Sequence, residues 1–422
     1  MNIVLGVIVG FLILMALVVA HEFGHFIAAR RNGVEVEEFG IGFPPRATAW
    51  LRNPEYLKWK EAKKAGKTVG KRPKGWISLP RSEWTKSQKT LIFSINWLPI
   101  GGFCSMKGES DSDKRPHSFG SATLWSKTKI LFAGVTMNWL VAFIILTVLS
   151  WTGMPEFMEN QFVMPGDTTI TPATVSVKEV IENSPASAAH FEPGDILKSA
   201  HEGNDNVDFN SASDIIEFNK THAGKTIIYS VYRPSTGEDL QLSAKINNDD
   251  ADYLLGVTMS QDGQVRYHST WSAPIVAAAN TVQLTGETYR GLGSMIGSFF
   301  SGVTKQFSAD ENVRSEGQSQ IQAAGDSVSG PVGIIGVLFP NSVAAGPTTL
   351  AFLAAVISIS LACMNVLPIP ALDGGRFTLI ALFRLFKKTL TKEIEEKIVS
   401  RAFIFLLILI VLVTVLDITR FF

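Results

Sequence analysis

His21-Glu22-Phe23-Gly24-His25 places two imidazoles four residues apart with a glutamate between them. In a helix, residues four apart share a face, so His21 and His25 can offer two ring nitrogens to one tetrahedral zinc. Glu22, one step round, then faces the water that zinc would activate, the arrangement of a hydrolytic general base. The motif falls in the last turns of the first apolar segment, where lipid is the expected neighbour. Ionisable groups are costly there and usually functional, although a histidine pair packed against other helices is the plain alternative.

Four apolar blocks, Ile3 to Ala20, Ile130 to Trp151, Leu350 to Met364 and Ala402 to Leu416, each approach the roughly 20 residues that a spanning helix needs. The first lacks a basic leader and a small-residue cleavage site, and is expected to stay in the mature chain. Charge alternates between the blocks. Residues 30–129 carry 20 Lys/Arg against 9 Asp/Glu, residues 152–345 carry 10 against 23, and residues 376–401 carry 7 against 3. By the positive-inside rule the two basic loops are cytoplasmic, and the acidic region and both termini are outside. Cys104 and Cys363, the only cysteines, indicate no disulfide framework.

A catalytic zinc typically takes three protein ligands, so a third is needed at the depth of His21. His21 lies about 18 residues into its helix, roughly 27 Å from the outer end at 1.5 Å per residue. Asp373 follows the start of the third block by a comparable length, within Asn365-Val366-Leu367-Pro368-Ile369-Pro370-Ala371-Leu372-Asp373-Gly374-Gly375. Its prolines break or kink the helix and its glycines allow close approach, which aims a carboxylate inward. The bland reading is a turn aspartate before two glycines. Asp417 fits worse, near the outer end of the fourth block.

Other segments are less specific. Val34 to Trp50 reads as extended, and Lys58 to Lys74 as a solvated basic loop that could also touch anionic lipid heads. Trp97 to Glu109 reads equally well as a hairpin dipping into the membrane interface or as an ordinary loop. Gly134 and Asn138 share a helix face, where the amide can bond across to a neighbour or simply pack. From Thr174 to Ile246 the pattern gives a compact mixed domain, with strands at 226–232 and 240–246 around a turn at 233–237. Ala277 to Gln306 reads as an amphipathic helical stretch interrupted by glycines, and Asp310 to Asp326 as a polar loop.

The Ser-Pro-Ala and Pro-Gly-Asp-Ile sequences at 184–186 and 193–196, with the order of elements around them, resemble a PDZ domain. His21-Glu22-x-x-His25, Asn365-x-x-Pro368-x-Pro370-x-Leu372-Asp373-Gly374 and that inserted domain together resemble the site-2 protease family of intramembrane zinc metalloproteases. Phe39 to Phe43, Gly134-x-x-x-Asn138 and Ser329 to Gly333 are also similar to family segments. The layout is most like the bacterial regulator-of-sigma-E protease type, although one PDZ-like domain stands here where the best-known members carry two.

The resemblance implies a polytopic α-helical membrane protein with four transmembrane helices, an inserted mixed α/β PDZ-like extracytoplasmic domain and a cytoplasmic membrane-associated β-hairpin region. The expected divisions are span 1–29, loop 30–128, span 129–151, PDZ-like domain 168–262, amphipathic linker 263–346, span 347–375, loop 376–401 and span 402–418. It implies Zn2+ held by His21, His25 and Asp373, Glu22 as catalytic acid/base, and Asn365, Gly101, Gly102 and Asn138 at the substrate. The implied substrates are single-span membrane proteins already trimmed outside, such as anti-sigma factors, or remnant signal peptides. The chain is expected in the cytoplasmic (inner) membrane as a monomer, in contact with lipid and not with nucleic acid. A metal transporter predicts polar residues along a path, and the first block has none from Ile3 to Ala20; an inactive PDZ scaffold predicts a lost ligand or glutamate, and none is lost.

Overall fold

The computed structural model of the chain describes residues 2–81, 90–158, 160–248, 253–308, 310–326 and 330–421; Ser329 of the glycine-proline segment lies outside them. The chain divides into two compact units, Met1–Leu146 with Thr281–Phe422, and Thr147–Asn280. Four helices are long and apolar enough to cross a membrane: Ile3–Arg31, Leu124–Thr152, Pro347–Val366 and Lys392–Thr419.

In the first unit, α1 (Asn2–Arg31) leads into β1 (Val36–Arg52), α2 (Pro54–Lys64), β2 (Trp76–Ser78) and β3 (Ile92–Met106) before α3 (Leu124–Thr152). The extended reading of 34–50 matches β1. Asn53 starts α2 by accepting the Glu55 N–H at 3.0 Å, with Pro54 in the first turn where its missing donor costs nothing. The front of the basic stretch is therefore helical instead of a loop.

β1 and β3 do not form a simple hairpin. Each bends midway, so that Gly40 is paired with Phe103 on one side and Ser94 on the other, while Trp50 pairs with Phe93. The two bent strands thus interleave four extended arms, extended at one edge by β2. The segment 97–109 is one bend and arm of this sheet and not a self-paired hairpin. Phe26, Phe39 and Phe93 pack together beneath it, with ring centroids 5.4 to 5.7 Å apart, and join α1 to the sheet.

The second unit carries β4 (Met154–Pro155), β5 (Thr169–Thr171), β6 (Thr174–Val180), α4 (Pro185–Ala188), β7 (Ile196–Glu202), β8 (Asp205–Asp208), α5 (Ala212–Thr221), β9 (Thr226–Arg233), β10 (Glu238–Lys245), β11 (Val257–Asp262) and β12 (Arg266–His268). Its main sheet has the order β10-β9-β7-β6-β11, with β8 on β7, and a small sheet has the order β4-β12-β5. The alternation of β9 buries Ile227, Tyr229 and Val231 completely against Ile215 and Phe218 of α5. Ser211 and Asp214 form a reciprocal capping box at the start of α5. The Tyr229 hydroxyl donates to Asn219 Oδ1 at 2.6 Å, so the one polar atom that this strand buries is satisfied.

α6 (Ala273–Gln306) leaves this unit as one continuous helix, uninterrupted by its glycines. α7 (Glu311–Asp326) is a helix where a polar loop was expected; it packs back on α6 with Lys305 and Glu316 paired at 2.5 Å. Then follow α8 (Pro331–Gly333), a π-helical turn at Ile334–Leu338, α9 (Phe339–Ala345), α10 (Pro347–Val366), α11 (Asp373–Leu385) and α12 (Lys392–Phe421). The segment expected as one kinked span over 347–375 is therefore two helices. The chain is extended at Leu367, and Asp373 opens the second helix. Cys104 and Cys363 are both free and buried.

Candidate active site

α1, α3 and α11 bring the site together. His21 and His25 sit one turn apart on α1, 8% and 6% exposed. Their Nε2 atoms are 3.2 Å from each other, and lie 3.0 Å and 3.3 Å from Asp373 Oδ2. Ligands around a tetrahedral zinc at bond lengths of about 2.0–2.1 Å stand roughly 3.3 Å apart, so this donor set fits zinc in both type and spacing. It is the only metal-capable cluster of three such side chains among the described residues.

The far nitrogen of each ring is also held. His25 Nδ1 lies 2.8 Å from the Ile130 carbonyl of α3, so it donates there and leaves Nε2 as the lone-pair atom. His21 Nδ1 lies 3.3 Å from the side-chain amide of Asn138, as placed its Nδ2, while Asn138 Oδ1 is buried without a partner. Exchanging the two amide atoms satisfies both: Oδ1 accepts the Nδ1 proton of His21, and Nε2 is again the free donor atom. Asn138 is 1% exposed, and its own carbonyl accepts Ser358 Oγ at 2.8 Å. Asn138, expected at the substrate, thus has its side chain against His21.

Gly134, one turn before Asn138, explains how α3 comes so close. A Cβ there would lie 2.6 Å from the Nε2 atoms of both histidines. Any side chain would fill the space between them, so helix packing and site construction are here one requirement.

Glu22 is half-buried, and the Cys104 backbone N–H of β3 is directed at its carboxylate. That amide belongs to the arm Gly102–Met106, which pairs with β1 on one side and with no other strand among the described residues. Gly101 and Gly102 are buried against Val18 and Val19 of α1; a Cβ on Gly102 would meet the Gly40 carbonyl at 2.9 Å. Asn365 lies in the last turn of α10, half-buried, eight residues before Asp373, which opens α11. Sequence reasoning gave no sign that Ile130 orients His25, since a backbone carbonyl carries no residue signal.

The sequence model of peptidase family M50 matches residues 9–56 and 73–410. A Clostridium perfringens relative that carries a zinc metalloprotease name is 26% identical over 98% of both chains. The zinc metalloprotease RasP of Shouchella clausii is 25% identical over 97% of this chain and 98% of its own. The regulator of sigma-W protease RasP of Bacillus subtilis is 25% identical over 98% and 99%. The chain belongs to peptidase family M50 and is an intramembrane zinc metalloprotease.

Proposed function

We propose that this enzyme cuts peptide bonds within or at the edge of a substrate's transmembrane helix, with His21, His25 and Asp373 as zinc ligands and Glu22 as acid/base. The observation that carries the reading is the convergence of three ligand atoms from positions 352 residues apart, with a carboxylate and an unpaired strand edge beside them. When bound, zinc supplies Lewis acidity that polarises the scissile carbonyl and lowers the pKa of the attacking water. Glu22 accepts the proton from that water and returns it to the leaving amine, a role that its place on the helix next to His21 makes geometrically direct.

Helical substrate has its carbonyls occupied and must unwind before attack. The outer edge of Gly102–Ser105, which pairs with no further strand among the described residues, offers backbone partners to the unwound segment and presents it to Glu22, while the Met106 N–H beyond it is taken by Glu109 Oε1; Gly101 and Gly102 keep the approach clear of side chains. Asn365 stands at the end of α10 to hold the substrate or the reacting carbonyl. Asn138 acts through His21.

The acidic 168–262 region is a PDZ-like domain on the extracytoplasmic face, admitting substrates already trimmed there. The active site lies near the cytoplasmic face of the cell membrane, and the basic segments 30–128 and 376–401 are cytoplasmic. The chain acts as a monomer on single-span membrane proteins. Anti-sigma factors are the substrate class that its relation to the regulator of sigma-W protease favours.

The test uses the purified full chain and a single-span substrate already cut on its outer side. Cleavage within the span, lost on chelation and in Glu22→Gln, is expected. Undiminished cleavage by Glu22→Gln would overturn the mechanism.

A further inference from the structure

A cavity of about 590 Å³ lies at the C-terminal end of α1, away from His21 and His25. Arg30, Arg52 and Lys60 line it with Glu35, Trp76 and His117. Glu35 is already paired with Lys107 at 2.8 Å. Among the described residues, Arg30, Arg52 and Lys60 pair with no carboxylate. The cavity therefore presents an uncompensated positive field.

Arg52 is fixed within it. Its guanidinium lies over the rings of Tyr56 and Trp76, 4.8 Å and 5.0 Å from their centroids, and is half-buried. Arg30 lies over Phe26 at 5.5 Å. Aromatic faces hold a guanidinium in place without using its N–H donors, which stay available to a ligand. Arginine held this way suits the planar, bidentate recognition of a phosphate.

The position selects the source of that phosphate. Arg30 stands eight residues beyond Glu22, about 12 Å along a helix long and apolar enough to cross a membrane, and closes its last turn. The same interleaved sheet exposes Phe43, Trp97 and Leu98 at its bend, 44%, 69% and 49% exposed. That bend lies beside Val18 of α1, twelve residues or about 18 Å before Arg30, so the exposed apolar residues and the cations are separated along the helix as acyl chain and headgroup are.

We infer that this cavity binds the phosphate of an anionic phospholipid headgroup, with Arg52 as its fixed anchor and Arg30 and Lys60 as flanking cations. Bound there, the lipid ties α2 and β1 to the end of the helix that carries His21 and His25. This also gives part of the basic stretch 58–74 a role that catalysis does not use.

The full chain in detergent, titrated with short-chain phosphatidylglycerol, phosphatidylcholine and inorganic phosphate and read by native mass spectrometry and thermal shift, tests this. Phosphatidylglycerol is expected to bind at least tenfold tighter than phosphatidylcholine, and inorganic phosphate at millimolar concentration to leave it bound. Arg52→Gln should weaken the lipid about fivefold and Arg52→Gln/Lys60→Gln about 25-fold, while Arg52→Lys, which keeps the charge but loses the stacked planar fork, should recover only part of the Arg52→Gln loss. Lys60→Gln alone, an exposed helix position, keeps the test open should the Arg52 variants not fold. Arg31→Gln removes a neighbouring charge outside the cavity and should change affinity less than twofold. Equal loss in Arg31→Gln, no loss in the double variant, or displacement of the lipid by inorganic phosphate would each overturn the assignment.

Discussion

Two polar clusters lie one turn apart on α11, and they are built on opposite principles. Around Arg376 every charge has its partner. Lys127, wholly buried, donates to Asp111 and to the Gly120 carbonyl; Arg384 stands 3.6 Å from the same Asp111. Glu395, 5% exposed, accepts from Ser110 Oγ, Asp111 N–H and Arg376 Nε, and Arg376 also donates to the Glu109 carbonyl. Around Asp373, three residues earlier, two imidazoles and a carboxylate turn their lone pairs toward one point, with no cationic side chain set among them. Buried charges need compensation, so a closed network fixes shape whereas a convergent, uncompensated one is a receptor for a cation. The first cluster anchors the helix that carries the second.

This contrast can be broken from either side. The largest effect is expected at the receptor: Glu22→Gln should keep zinc and lower turnover by roughly 10²- to 10⁴-fold, measured on the pre-cut substrate. In the closed network, Lys127→Met leaves Asp111 without its main partner and should lower stability by about 3–5 kcal/mol, read by denaturant melts in detergent. Lys127→Met with Asp111→Leu should recover most of it, because removing both charges removes the uncompensated one. Smaller than either, Asn138→Ala should weaken zinc about 10- to 100-fold by releasing the His21 ring, while turnover at saturating zinc falls less. Equal loss of both would assign Asn138 to the substrate after all.

The smallest effect belongs to the rim. Arg115, mostly exposed, hydrogen-bonds Asp113 and holds its carboxyl at about 2, below the usual aspartate range. A folded-state value below the unfolded one adds stability above about pH 4, and that contribution fades as pH falls toward 2. Carbon-detected titration should find Asp113 near 2 in the wild type and raised, but still below its ordinary value, in Arg115→Gln, whose backbone N–H still donates to Asp113, with the melting temperature at neutral pH almost unchanged. A large drop there would show that exposed and buried pairs do not differ as argued.

The histidine pair and Asp373 were legible because helical spacing and depth within an apolar run are local arithmetic. The break at 367–372 was visible too, as prolines at 368 and 370. What escaped the sequence is non-local. The interleaving of β1 and β3 depends on two bends that bring Gly40 between Ser94 and Phe103, and no local alternation encodes it. Asn138 meets His21 across 117 residues, which its helix-face pairing with Gly134 allowed but did not specify. α7 is polar on average, so its residues read as a loop; it packs on α6, where Gly302 and Gly317 touch closely enough that a Cβ on either would clash.

The central claim is that His21, His25 and Asp373 hold the catalytic metal. Zinc titration of the purified full chain, with competition by a chelator of known affinity, measures it directly for the wild type, Glu22→Gln and Asp373→Ala. A single tight zinc site in the first two, weakened by orders of magnitude in Asp373→Ala, is the expected result; wild-type zinc affinity in Asp373→Ala would contradict it.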